Sequence, residues 1–191
     1  MRTLRWIGAL AFAAAVAGCS EEDEPLPFDS TTQNLYLRGT LTGVEMDVTS
    51  TDAVGGEREY SPTRLCEVSA EFNATVDGKP WVLEFELENF DLESFGMGVY
   101  SIVGSDVPTA PGLVSFELRM DGDATHYERS AIGGSIDVRV YDSTSVQAGN
   151  PGVVEGGSLG TVFDLDFGAG ETVEGSFHVD FSITELGDEE C

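Results

Sequence analysis

Positive charge is scarce in this 191-residue chain: nine Lys and Arg, with Lys79 the single lysine, stand against thirty-five Asp and Glu, for a formal charge of −26. A protein that grips nucleic acid needs the reverse sign to release counterions from phosphate, and an anionic lipid surface repels such a chain as well. Neither is an expected partner. Histidine is nearly absent too, with two residues, His126 and His178, too few for the usual zinc sites of three or four N or S ligands. Both read as polar strand or loop residues in outward register. No apolar run is long enough to cross a bilayer, which takes ~20 residues; the longest, Trp6 to Val16, has eleven. Beyond the first nineteen residues no stretch longer than ten has helical periodicity, and no repeat recurs at a fixed period, which excludes propellers and solenoids.

What the chain does have, from about residue 34 onward, is alternation with period two, the mark of strands with one buried face. The clearest case sets Trp81, Leu83, Phe85 and Leu87 against Val82, Glu84, Glu86 and Glu88. Phe72, Ala74 and Val76 alternate in the same way just before it, and Asp77-Gly78 between the runs signals a hairpin turn. Further runs are Val114-Phe116-Leu118-Met120, Ile136-Val138-Val140, Phe163-Leu165-Phe167 and Val173 through Phe177, Val179, Phe181 and Ile183. Leu35, Leu37 and Leu41 hold one register and Val44, Met46 and Val48 the other, which a turn or bulge at Gly43 reconciles. Met97 to Val103 reads as a short strand, and Ser50 to Pro62, Gly104 to Gly112 and Asp142 to Ser158 as connectors. The expectation is one all-β domain over residues 34–191, an antiparallel β-sandwich of about eight to ten strands with a barrel-like form as the alternative.

The N-terminus carries an address. Arg2 and Arg5 precede the apolar run, small residues follow it, and Val16-Ala17-Gly18-Cys19 resembles the lipobox of bacterial lipoproteins. The resemblance implies a signal peptide over residues 1–18, diacylation of Cys19, cleavage before it and acylation of the new amine. Several acyl chains anchor a protein stably where one does not. Ser20 after the Cys is compatible, within this family, with sorting to the outer membrane. Residues 19–33 then form the lipidated Cys and a tether, of which Ser20-Glu21-Glu22-Asp23-Glu24-Pro25 is the acidic, self-repelling part. It resembles the acidic export tags of some surface lipoproteins, although a plain solvated linker is the favoured reading. Loss of residues 1–18, with two arginines and no acids, moves the formal charge to −28. So acidic a surface suits divalent cations, basic partners or simply solubility.

With Cys19 assigned to lipid, Cys66 and Cys191 remain, in a compartment that permits disulfides. Paired, they close a loop of about 125 residues, for which chain entropy gives up to ~5 kcal/mol; two free thiols are the alternative. A catalytic Cys is disfavoured, because no His lies near either in sequence.

Candidate chemistry is sparse. Gly156-Gly157-Ser158-Leu159-Gly160 matches the G-x-S-x-G of a nucleophile elbow, with Asp164 or Asp166 and His178 following in hydrolase order. An elbow needs a strand before the Ser and a helix after it, whereas here a strand follows. Asp121 and Asp123 are candidate Ca²⁺ ligands, although EF-hand spacing is absent and Asp121-Gly122-Asp123 also reads as a tight hairpin turn between Met120 and Thr125. No other cofactor is expected. Glu84, Glu86 and Glu88 share one face of their strand, as Asp164 and Asp166 do on another, and such rows ordinarily face solvent and block edge pairing. Were two rows to meet across neighbouring strands, a cation or basic ligand would be needed to offset the repulsion.

Residues 72–81 (FNATVDGKPW), Gly98-Val99-Tyr100-Ser101-Ile102, Gly134-Ser135-Ile136-Asp137-Val138 with Tyr141-Asp142, and Val173-Glu174-Gly175-Ser176-Phe177 follow one another in an order similar to that of small uncharacterised β-rich envelope lipoproteins of double-membraned bacteria. The resemblance spans residues 70 to 183 and implies a β-sandwich or barrel-like domain without catalytic residues. The resulting expectation is a non-enzymatic envelope lipoprotein, anchored by Cys19, that binds or scaffolds a protein or glycan. A carrier with an apolar cavity is the second reading, and a hydrolase using Ser158 the third.

Overall fold

The computed structural model describes residues 26–61, 64–90, 96–104, 107, 110, 112–142 and 156–185, with the backbone alone at 57–61, 64–66, 89–90, 156 and 183–185. The chain is all-β, and no helix occurs among the described residues. Eleven strands run in order: β1 (Asn34–Leu41), β2 (Val44–Ser50), β3 (Asp52–Ser61), β4 (Arg64–Val76), β5 (Lys79–Phe90), β6 (Gly98–Ile102), β7 (Leu113–Gly122), β8 (Thr125–Ser130), β9 (Gly133–Asp142), β10 (Gly156–Gly168) and β11 (Glu171–Glu185).

This exceeds the eight to ten that alternation suggests, because β3 and β8 carry almost no alternating apolar residues. β3 falls in a segment that reads as a connector, and its strand state comes from tertiary pairing, with β4 along its length and with β11 at its end. β8 (THYERS) is polar and is held by antiparallel pairing to β7. The turns expected at Gly43 and at Asp77-Gly78 behave as their residues demand. Thr42-Gly43 and Asp77-Gly78 both take positive φ (52° and 75°, 49° and 72°), the backbone twist that two-residue hairpins require.

All eleven strands belong to one sheet, folded into two layers. β3-β4-β5-β7-β8 makes one layer and β2-β1-β11-β10-β9-β6 the other. The layers join at both sides through short parallel pairings, Ser182↔Glu57 to Glu185↔Tyr60 between β11 and β3, and Ser101↔Leu113 and Ile102↔Val114 between β6 and β7. The sheet is thus nearly barrel-shaped, the alternative to the expected sandwich. The closure follows from two strands that share one edge between two partners: β11 pairs with β1 and then β3, and β7 pairs with β6 and then β8.

Alternation fills the interior. Phe72, Phe85 and Phe116 of one layer meet Phe163 and Phe177 of the other, with Phe85 at the hub, 5.2 Å from the Phe177 ring centroid, 5.9 Å from Phe163 and 6.2 Å from both Phe72 and Phe116. These five rings are fully buried and occupy the centre that a barrel-borne apolar ligand would need. One expected core position moves out. A β-bulge opposite Gly160/Thr161 shifts the β9 register, so Val140 pairs with Gly160 and is half-buried while Tyr141 packs on the core.

The segment before β1 is not wholly a free tether. Residues 27–33 lie on the outer face of β10 and β11: the Ser176 hydroxyl donates to the Pro27 carbonyl, His178 Nδ1 is 3.0 Å from the Thr32 carbonyl, and the Asp180 amide donates to Gln33 Oε1 at 3.3 Å. Arg139 stacks over the Phe28 ring at 5.5 Å. Ser176 and His178 are thus in outward register, as expected, yet buried.

Candidate acidic site

The outward face of the β3–β8 layer is built by the same alternation that builds the core. With Trp81, Leu83, Phe85 and Leu87 inside, Glu84, Glu86 and Glu88 must point out, and Phe116 and Leu118 inside likewise put Ser115, Glu117 and Arg119 outside. Register then decides which of these meet. Glu88 stands opposite Glu67 of β4, Glu84 opposite Glu71, and Glu86 opposite Glu117 of β7, three like-charged cross-strand pairs on one face. Directly opposed like charges destabilise a sheet.

The described cation among them is Arg119, which faces Glu84 across the strands. Its Nη1 lies 2.6 Å from Glu86 Oε2 and 3.5 Å from Glu84 Oε2, Nη2 lies 2.8 Å from Glu117 Oε1, and Nε lies 3.7 Å from Glu128 Oε2. One guanidinium is shared by four carboxylates. Although close to Arg119, Glu86 Oε2 and Glu117 Oε1 are buried without a hydrogen bond of good geometry, so the contact is coulombic rather than directional. The neighbouring carboxylates raise the Arg119 pKa against the effect of its own burial.

Glu86 is the exceptional member. It is 6 % exposed, and burial, then the Glu67 charge and a hydrogen bond with Glu88, push its pKa up to about 8 against the pull of Arg119. Desolvation and two acidic neighbours outweigh one divided positive charge. Carboxylate oxygens of Glu67, Glu86 and Glu88 lie within 4.8 Å of one another, the one such acidic group of three among the described residues. Beside them a cavity of about 20 Å³ is lined by Glu86, Glu88, Ser115, Phe116, Glu117 and Ser130, with the Ser130 hydroxyl donating to Glu117 Oε2 at 3.1 Å.

Other residues singled out in the sequence are dispersed. Asp121 is drawn to His126, whose Nδ1 is 2.6 Å from Oδ1, and this contact raises the histidine pKa. Asp123 and Asp121 border a separate open groove of about 400 Å³ beside Trp81, at the end of the β4–β5 and β7–β8 hairpins. Asp121 and Gly122 end β7, and Asp123-Ala124 makes the turn to β8, inside the hairpin expected between Met120 and Thr125. Ser158 lies inside β10, paired with Asp180 and Asp142, in extended strand rather than on an elbow.

His178 is held by the Thr32 carbonyl, and its Nε2 has no partner among the described residues, Ser158 included. The glycines of the motif have packing roles instead: a Cβ at Gly157 would lie 2.6 Å from the Phe181 ring and one at Gly160 would lie 2.9 Å from Phe28. Asp164 and Asp166 are exposed, as expected of a solvent-facing row. Cys66 contributes its backbone to β4, while Cys19 and Cys191, and with them the lipidation site and the proposed bridge, lie outside the described residues.

Sequence reasoning picked out the β5 row but not Glu67, Glu117, Arg119 and Glu128. Glu67, Glu117 and Arg119 lie in the polar halves of the alternating β4 and β7 runs and Glu128 on the polar β8, and what was missing was the register. In comparisons with protein-family models, curated proteins and solved structures, none matches this chain.

Proposed function

We propose that this protein is a non-enzymatic binding module of the cell envelope, anchored at the outer membrane through lipid on Cys19, braced by a Cys66–Cys191 disulfide, and receiving a cationic ligand on its acidic sheet face. The observation that carries the reading is the set of three opposed carboxylate pairs, two of which share the single Arg119 guanidinium. A surface needed only for solubility has no reason to accept that cost in register, whereas a ligand-binding face does, because functional sites are where local stability rules are broken. The packed phenyl centre weighs against an apolar cargo, and the strand conformation of Ser158 weighs against an elbow nucleophile. With residues 27–33 laid along the barrel, residues 20–25 span at most ~20 Å, so the domain stays near its membrane.

Two measurements test this reading. Wild-type protein should fractionate with the outer membrane and the Cys19→Ser variant should not; identical fractionation overturns the anchor. A lysine-rich peptide titrated into the full-length protein should bind with an affinity that falls with salt and drops about tenfold in Glu84→Gln/Glu128→Gln, by loss of two partly exposed charges at ~0.5–1 kcal/mol each. The same peptide should bind unchanged to Asp164→Asn/Glu174→Gln, altered on the opposite layer. Absent or indiscriminate binding overturns the cationic-ligand reading.

A further inference from the structure

The two outer faces of the barrel differ in charge. On the β3–β8 layer the register sets acid against acid. On the other layer one cross-strand row reads Thr49, Tyr36, Ser176, Val162, Asp137 and Val99 from β2 to β6, and its single acid, Asp137, is held by Arg139 at 2.9 Å. At the end of that row stand the two most exposed large apolar side chains among the described residues, Met97 (73 %) and Val99 (70 %). Two residues apart, they share one side of the chain. The pairing Gly98↔Val138, carried one residue further, brings Met97 beside Arg139, whose guanidinium lies over the Phe28 ring. Met97, Val99 and Phe28 thus border one patch of low charge. Apolar residues scattered singly on a surface need no explanation, whereas grouped ones mark a contact.

The course of the chain indicates what meets this patch. The Ser176 hydroxyl, in the middle of the row, holds the Pro27 carbonyl, and Val99 is three strands away, about 14 Å at the usual strand spacing. Leu26 and Phe28 are half-buried on the same face. Cys19 precedes Pro27 by eight residues, a reach of at most ~27 Å. The way around β1 and β2 to the acidic layer consumes about 20 Å of that, ~10 Å across two strands and ~10 Å between the layers. A bilayer that holds Cys19 therefore meets the patch first. Its surface repels the acidic chain as a whole, and a face of low charge tolerates close approach.

We propose that the outer face of the β2-β1-β11-β10-β9-β6 layer lies against the bilayer that anchors the protein, with Met97 and Val99 entering the headgroup region beside the docked segment. The proposal rests on the lipid anchor at Cys19 and gives the domain an orientation. Apolar side chains gain by leaving water at such an interface, and Arg139 keeps its charged head at headgroup level while its stem stays against Phe28. The acidic face, on the opposite layer, then points away from the membrane, toward its ligand.

Tryptophan quenching by brominated lipid provides the test. The full chain is expressed in a bacterium, extracted from its membranes and reconstituted into vesicles of phosphatidylethanolamine and phosphatidylcholine, with or without bromine on the acyl chains. Met97→Trp and Val99→Trp are compared with Asn73→Trp, which sits exposed on the acidic layer, after subtraction of the wild-type signal. Melting curves confirm that each variant folds. Quenching of the Met97 and Val99 variants should be at least twice that of the Asn73 variant. Equal quenching at all three positions, or stronger quenching at Asn73, overturns the proposal. Flotation of the same vesicles separates the two readings. Protein that floats with the lipid but shows no difference in quenching loses this inference alone, whereas wild-type protein that does not float removes the anchor, and the orientation falls with it.

Discussion

Glu86 shows how a single residue can be correct in pattern and surprising in chemistry. Alternation puts it outside the barrel, and outside normally means solvated, yet the neighbouring strands bury it. Its folded-state pKa of about 8 stands above the ordinary 4.5. The folded protein therefore holds the Glu86 proton more tightly than the unfolded chain between those values. For a raised carboxyl the stability contribution is present below about 4.5 and is lost as pH rises through 8. The melting temperature should climb as pH is lowered from 8 to 6 in the absence of divalent ions, and Glu86→Gln should flatten that climb, since an amide cannot ionise. An unchanged slope in the variant would show that the dependence arises elsewhere on the acidic surface. Nothing in the local sequence separates Glu86 from Glu84 or Glu88; the difference lies in which residues of β4 and β7 stand opposite.

Single elements were legible to the extent that their pairing is local. The β4–β5 hairpin could be read directly, because Asp77-Gly78 supplies the turn and both flanking strands alternate. β3 and β8 could not, since their strand state is enforced from outside by β4 and β11 and by β7. The segment before β1 is the same case in reverse, polar enough to read as a linker and yet docked on β10 and β11. Its docking depends on Gly160, where a Cβ would approach the Phe28 ring to 2.9 Å and Val140 Cβ to 3.0 Å. Gly160→Val should expel Phe28, lowering stability by ~1–3 kcal/mol and exposing His178. Hydrogen exchange would read this as faster exchange across residues 27–35 while the β4–β5 hairpin stays protected. Uniform acceleration across the barrel would mean instead that the substitution disturbs the core.

Across the whole molecule, stability concentrates where the layers face each other. Phe85 touches four other rings from both layers, so Phe85→Ala should cost ~3–5 kcal/mol, a fall in melting temperature on the order of 10 °C for a domain of this size. Phe28, in contact with Arg139 on the outer surface, should matter far less. A comparison of Phe28→Ala with Phe85→Ala in thermal melts would show whether the interior cluster, and not aromatic content in general, carries the fold. The short parallel pairings of β3 with β11 and β6 with β7 then close the barrel around a core that is already packed.

Composition and period-two patterning were enough to establish a β-protein with no helix among its described residues, its inward-facing residues and its principal hairpin, because alternation is a property of each strand by itself. Whether two layers stay apart or join, which polar segments become strands, and which carboxylates stand face to face are relations between strands distant in the chain. They depend on register and closure, and a one-residue slip in register exchanges one face for the other. The acidic site is a relation of that kind: every one of its residues is visible in the sequence, and only the pairing of β4, β5 and β7 brings them together.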